Sequence, residues 1–429
     1  MTTHTRRMSS RKLASLMALA IAVPGVAAFA VPAAAQPQSA APAGPAAPAQ
    51  PQLKPSRNFA KVYQPVAEVA NAAAGDYASA KAQLPGVIAA VESPDDRYLA
   101  GTLSYVLGLK LQERPLQQQG MELMLQSGKA APDAAGEMNY FLGEWAYDAA
   151  NYAQSRTYLK AARDAGYTQG NAEGLTAESY FKENQSAQGL AYLEGLIAQM
   201  RAAGQAVPDV WIRRGLKVGY DAQDATLSSK WASMLVSNNP IPENWLTAVQ
   251  VVEALSASDQ AVRLDLLRLA SLTNSLTDRR SYENYVQAAD PRIMANEVSR
   301  VLAAGKTAGI FTDGDAFYTE NKVIADQRSG AEASDAADYA RTAASAATGR
   351  PAQNAGEIYL ALQNYPKAEE MLQLALTKGG IDRDTVLTRL GIAQIQQGKS
   401  AAAKATFGQV TGARAPVAQL WAAYAGTRT

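Results

Sequence analysis

The sequence contains no cysteine, and the only histidine among its 429 residues is His4. His4 sits in an N-terminal stretch with the marks of a cleaved leader. Without that stretch the chain has no thiol nucleophile, no imidazole base and no soft metal ligand. Ser-His-Asp and Cys-His catalysis are excluded, and so are zinc sites built on His or Cys. The missing cysteine also excludes a lipid anchor at the cleavage point. Aromatic residues are scarce at 7% and β-branched runs are few, whereas alanine dominates and 48% of residues are hydrophobic. That balance favours close-packed helices over sheet.

Arg6, Arg7, Arg11 and Lys12 form a basic start with no acidic residue. Leu13 to Val23 is an apolar run ended by Pro24, and Ala33-Ala34-Ala35 offers a small-residue cleavage site. The pattern is that of a secretory signal peptide over 1–35, starting at Met1 or Met8, with an apolar run too short for a transmembrane anchor. No other stretch approaches the roughly 18 apolar residues that span a bilayer. Removing the four basic residues from the 40 Lys and Arg leaves 36 against 39 Asp and Glu. This mature charge provides no basic footprint for nucleic acid. The expected location is the periplasm. Residues 36–57, rich in Ala, Pro and Gln, read as an extended tether.

One two-helix unit is written twice near the C-terminus. Gly356 is followed by Tyr359, Ala368, Leu372 and Ala375; Gly391 is followed by Gln394, Ala403, Phe407 and Val410. Both the glycines and the alanines 368 and 403 are 35 residues apart. Each glycine leaves room for a neighbouring helix, and the later positions form a stripe that packs back on it. Asn364-Tyr365-Pro366 suits the turn between the helices. One such hairpin cannot bury both faces, so copies must stack.

These two copies resemble the tetratricopeptide repeat family, whose pattern runs L-G-x2-Y, then A-x3-F, then P. Gly356-x2-Tyr359 matches the first half, and Leu390-Gly391 with Ala403-x3-Phe407 matches parts of both; Gln394 replaces the tyrosine. Earlier glycines fall in the same frame: Gly108, then Gly143 in Leu142-Gly143, Ala177-x2-Tyr180, and Gly215. The fold expected is all-α, a right-handed superhelical solenoid of antiparallel hairpins. The expected divisions are repeats over 58–240, divergent helices over 241–350, and repeats with a closing helix over 351–429. In the middle, Asp315 to Gln327 and Glu332 to Ala347 read as two separate helices.

Three signals imitate chemistry. Gly305-Lys306-Thr307 echoes the end of a P-loop but lacks the upstream glycine, where Arg300 stands. It reads as a helix end. Asp313-Gly314-Asp315 lacks the remaining calcium-loop ligands and reads as a turn with a helix cap. Glu144 and Glu178 follow equivalent repeat positions, and a carboxylate pair is what glycoside hydrolysis uses. A solvated acidic face is the favoured reading, so no catalytic, cofactor or metal residue is expected. A carboxylate-dependent enzyme acting on peptidoglycan or carbohydrate, or a glycan-binding protein, is the alternative.

In the family, the first helix of each hairpin lines a groove that holds extended peptides. The resemblance implies a partner-binding face of Tyr140, Glu144, Tyr147 and Asp148, then Glu178, Phe181 and Lys182, then Arg213 and Tyr220. The rings of Tyr140, Tyr147 and Phe181 suit packing between repeats equally well. In the C-terminal pair the matching positions are Gln353, Asn354, Glu357, Arg389 and Gln396, which do not reproduce a carboxylate clamp. The function expected is a non-catalytic scaffold for protein or peptide partners, serving the cell envelope.

Overall fold

The computed structural model describes residues 53–256 and 259–428. The signal segment and nearly all of the tether lie outside the described residues. What is described is all-α, with 20 helices packed in consecutive pairs and no strand among the described residues. The chain divides into two compact units, one ending at Gln185 and the other beginning at Ser186. That division falls inside the stretch 58–240, not at 240 or 350.

The N-terminal unit holds α1 (Arg57–Asn71), α2 (Tyr77–Ala89), α3 (Pro94–Lys110), α4 (Arg114–Gln126), α5 (Pro132–Asp148), α6 (Tyr152–Asp164) and α7 (Ala172–Lys182). Local chemistry explains the starts. At α3, Ser93 accepts from Asp96 N–H while the Asp96 carboxylate accepts from Ser93 N–H, a capping box reinforced by Pro94 at the first turn. Asp96 is fully buried and also accepts from Ser56 N–H at 2.8 Å, which ties the chain entering α1 to the start of α3. Burial pushes its carboxyl up, but the N–H groups of Ser56, Glu92 and Ser93 outweigh this and hold it below the usual range.

The C-terminal unit holds α8 (Ser186–Ala202), α9 (Asp209–Asp221), α10 (Ala225–Asn238), α11 (Pro242–Leu255), α12 (Gln260–Leu272), α13 (Arg279–Ala289) and α14 (Ala295–Thr307). It continues with α15 (Ala316–Ser345), α16 (Arg350–Ala361), α17 (Tyr365–Lys378), α18 (Arg383–Gln396), α19 (Ser400–Phe407) and α20 (Ala415–Thr427). The two helices expected over 315–347 are one, α15, which carries Gly330 in its interior without a break. Thr307 ends α14, and Asp315 caps α15 by accepting from Tyr318 N–H, as expected of both imitative motifs.

The repeat glycines mark contacts between paired helices. A Cβ on Gly143 would lie 2.7 Å from Leu159, on Gly356 2.7 Å from Leu372, on Gly391 2.4 Å from Phe407, and on Gly215 2.3 Å from Trp231. The turns repeat as well. After α3, α5, α7, α9, α12 and α16 a non-glycine residue takes positive φ: Gln112, Ala150, Asn184, Gln223, Asn274 and Gln363. In each case the next N–H bonds back to a carbonyl five residues earlier, as Asn151 does to Ala146 at 2.8 Å and Ser275 to Ala270 at 2.8 Å. This is the helix-ending motif that glycine ordinarily serves. Ala150, at φ 61° and exposed, carries a steric cost there. Ala150→Gly is therefore expected to stabilise the fold by about 0.5–1 kcal/mol, measured by denaturant unfolding.

The turn motif also explains the divergent middle. Hairpins begin on odd-numbered helices at α1, α3, α5 and α9, and on even-numbered helices from α12 onward. Helix α11 is a single insertion between them, and it shifts the phase of the repeat.

Candidate partner-binding face

In the N-terminal unit, Gly136 and Gly143 set the face of α5 that lies against α6 and its outgoing loop. Glu137, Glu144 and Asp148 recur at intervals of seven and four, so they share a stripe turned away from that contact. Helix α5 carries Asp133, Glu137, Glu144 and Asp148 and no basic residue. Glu137 and Glu144 are half-buried, and neither is ion-paired or hydrogen-bonded to another described residue. Burial raises both carboxyls; the like charge of Asp148 raises Glu144 further, and Arg114 opposes this. Arg114 itself pairs with Asp148 at 3.5 Å and lies over the Trp145 ring.

Glu144 therefore titrates higher folded than unfolded, and its ionised form costs stability above that range. The cost shrinks as pH falls through the raised value and vanishes below the ordinary value of 4.5. Glu144→Gln is expected to melt above the wild type at neutral pH. Melting curves taken down to about pH 4 should show the gap closing. A gap independent of pH would contradict this assignment.

Three tyrosines surround the carboxylates. Tyr105, 4% exposed, lies within electrostatic reach of Glu137 and has a hydroxyl without a hydrogen-bond partner; burial and Glu137 push it up to about 12. Tyr140 and Tyr167 pack with ring centroids 5.3 Å apart. Glu137 and Glu144 both raise the Tyr167 hydroxyl, after burial. Glu137, Tyr105 and Tyr167 were not anticipated from the sequence. The available signal was the seven-residue step from Glu144 back to Glu137.

The anticipated residues fall in different environments. Tyr140 is buried, not presented to solvent: its ring covers Gly170, and its hydroxyl accepts from Asn171 N–H at 3.2 Å, at the start of α7. Tyr147 is half-buried on the hairpin side, edge-on to Tyr152 at 5.4 Å. Asp148 and Lys182 are exposed, while Glu178 and Phe181 are half-buried on α7. Arg213 and Tyr220 belong to the C-terminal unit. Arg213 is exposed and bonds Asn244 and Thr247 across to α11, and Tyr220 is 41% exposed.

The C-terminal unit corrects the expectation for the last repeats. Its closing helix α20 packs on α10, α11 and α12 as well as on α18 and α19. Asp265 of α12, fully buried, holds three guanidinium groups from distant parts of the sequence: Arg268 at 3.2 Å, Arg389 at 3.6 Å, and Arg414 just before α20. Trp421 of α20 donates its indole N–H to the Asp265 carbonyl at 3.1 Å. Arg389 also pairs with Glu357, and Gln353 bonds Glu357 at 2.8 Å. Glu357 and Arg389, expected on an open groove, are thus committed to an internal network. Arg268 pairs with buried Glu297 at 2.7 Å, and Tyr285 donates to Glu297 at 2.9 Å. Burial alone would raise the Glu297 carboxyl, but Arg268 and Tyr285 outweigh it and hold it low. Gln396 lines a cavity of about 110 Å³ bounded also by Arg268, Arg300 and Tyr365.

No known family's profile matches this sequence, and no curated protein is significantly similar to it. Among the described residues no cluster of His, Cys, Asp and Glu could hold a metal ion, and no helix is long and apolar enough to cross a membrane.

Proposed function

We propose that this protein is an exported, non-catalytic scaffold of the tetratricopeptide kind. It binds protein or peptide partners along the α5–α7 face of its N-terminal unit. One contrast carries the reading. The C-terminal unit uses its groove-type positions Glu357 and Arg389 to hold itself together. The N-terminal unit leaves Glu137 and Glu144 half-buried with no such partner, at a cost in stability. Uncompensated charge is retained where something external compensates it. The N-terminal sequence supports a periplasmic location, and with it a part in assembly or maintenance of the cell envelope.

A carboxyl raised as Glu144 is raised is also what a general acid needs, which supports the alternative of a glycan-acting enzyme. Affinity capture from envelope extract, using residues 36–429 as wild type and as Asp148→Lys with Lys182→Glu, separates the two. Both substitutions are on exposed side chains, so the fold is expected to survive them. A protein retained by the wild type and lost by the equally stable variant supports the scaffold. No protein retained, with glycan fragments bound or cleaved, supports the enzyme.

A further inference from the structure

We propose that Glu137 and Glu144, with the half-buried Tyr167 ring and the buried Tyr105 hydroxyl, form a receptor for a lysine or arginine side chain carried on an extended partner segment. The proposal rests on the scaffold reading and narrows it to one partner chemistry. Two carboxylates two turns apart on α5 face the same side, and neither is ion-paired with another described residue. Arg114, the nearest opposing charge, is engaged with Asp148. An ammonium or guanidinium group brings the missing positive charge and several N–H donors. Tyr167 supplies the rest of the chemistry, since aromatic faces attract cations and its half-buried ring, tilted against Tyr140 at 5.3 Å, offers apolar surface to the aliphatic stem.

Tyr105 is a second and independent sign. Its buried hydroxyl lacks an acceptor or donor among the described residues. A buried hydroxyl left unpaired costs about 1–3 kcal/mol. A cation seated on Glu137 would offset the carboxylate charge that acts on this hydroxyl. An anionic or purely apolar segment would leave both carboxylates uncompensated, so the site discriminates by charge.

The test uses blocked synthetic peptides of sequence (Pro-Lys-Ala)₃, extended by proline, beside the same peptide with every lysine acetylated. Calorimetric titration of residues 36–429 at low salt is expected to favour the lysine peptide by about tenfold or more, with the preference falling as salt screens it. In Glu137→Gln with Glu144→Gln the preference should drop below about twofold. That variant should melt no lower than wild type, because it removes uncompensated charge. Equal binding of the two peptides by the wild type, or no binding of either, overturns the proposal even if the variant fails to fold. Undiminished preference in a folded variant overturns it too. A protein captured equally by wild type and the double glutamine variant would sink this site and leave the scaffold reading standing. The lysine preference without any captured protein would do the reverse.

Discussion

Asp265→Ala is expected to destabilise the C-terminal unit by about 3–5 kcal/mol, the usual cost of removing one partner from a buried ion pair. The carboxylate is fully buried and is the shared acceptor for Arg268, Arg389 and Arg414. Arg268 retains Glu297 and Arg389 retains Glu357, so the group most exposed to the loss is Arg414. Arg414 leads directly into α20, and its other carboxylate contact, Asp259, is 3.7 Å away and half-exposed. The closing helix should therefore loosen first. Amide exchange in α20 should quicken well before exchange in α4, which lies in the other unit. A loss below about 1 kcal/mol would mean that the aromatic contacts of α20 hold the closure without the charges. Those contacts are real alternatives, since Trp421 is fully buried and Tyr424 meets Trp245 at 5.9 Å.

Tyr140→Ala is expected to cost about 3 kcal/mol, because it empties a buried aromatic site and frees the start of α7. Tyr140→Phe removes only the bond from Asn171 N–H and should cost about 1 kcal/mol. Tyr147→Ala, on a half-buried ring, should cost less than Tyr140→Ala. Denaturant unfolding of the three variants checks the order. A Tyr140→Ala variant as stable as wild type would return that ring to the surface and to direct contact with a partner. The expectation matters for function, since a binding defect in Tyr140→Ala would report lost folding rather than a lost contact.

The repeat was legible because its glycines are steric requirements. Gly143, Gly356 and Gly391 each accept a bulky side chain of the paired helix, which a larger residue would force to move. The middle was harder to read for two local reasons. Turn residues there and elsewhere are Asn274, Gln363 and even Ala150, which carry positive φ without announcing it as glycine would. Helix α11, which packs on α10 and α12 but lies outside the hairpin series, then shifts the frame, and a phase change of one helix cannot be seen in side-chain periodicity. The closure of the C-terminal unit was illegible in principle. Asp265 and Arg268 read as an ordinary surface pair three residues apart. Only the arrival of Arg389 and Arg414, more than a hundred residues later, turns them inward. On α5 the acidic face was legible in Glu144 and Asp148, but the ring positions were displaced. Tyr140 and Tyr147 share a stripe with the hairpin contact, and the stripe proposed for binding runs one step aside through Glu137, Glu144 and Asp148.

The most direct test of the account is photocrosslinking in the intact envelope, with a photoreactive residue placed at Phe181 on α7 or at Lys160 on the outer face of α6. The account predicts discrete protein adducts from position 181 and none from position 160, with the 181 adducts lost in Glu137→Gln with Glu144→Gln. Adducts from position 160 alone, or equal adducts from both, would contradict the claim that the α5–α7 face receives the partner.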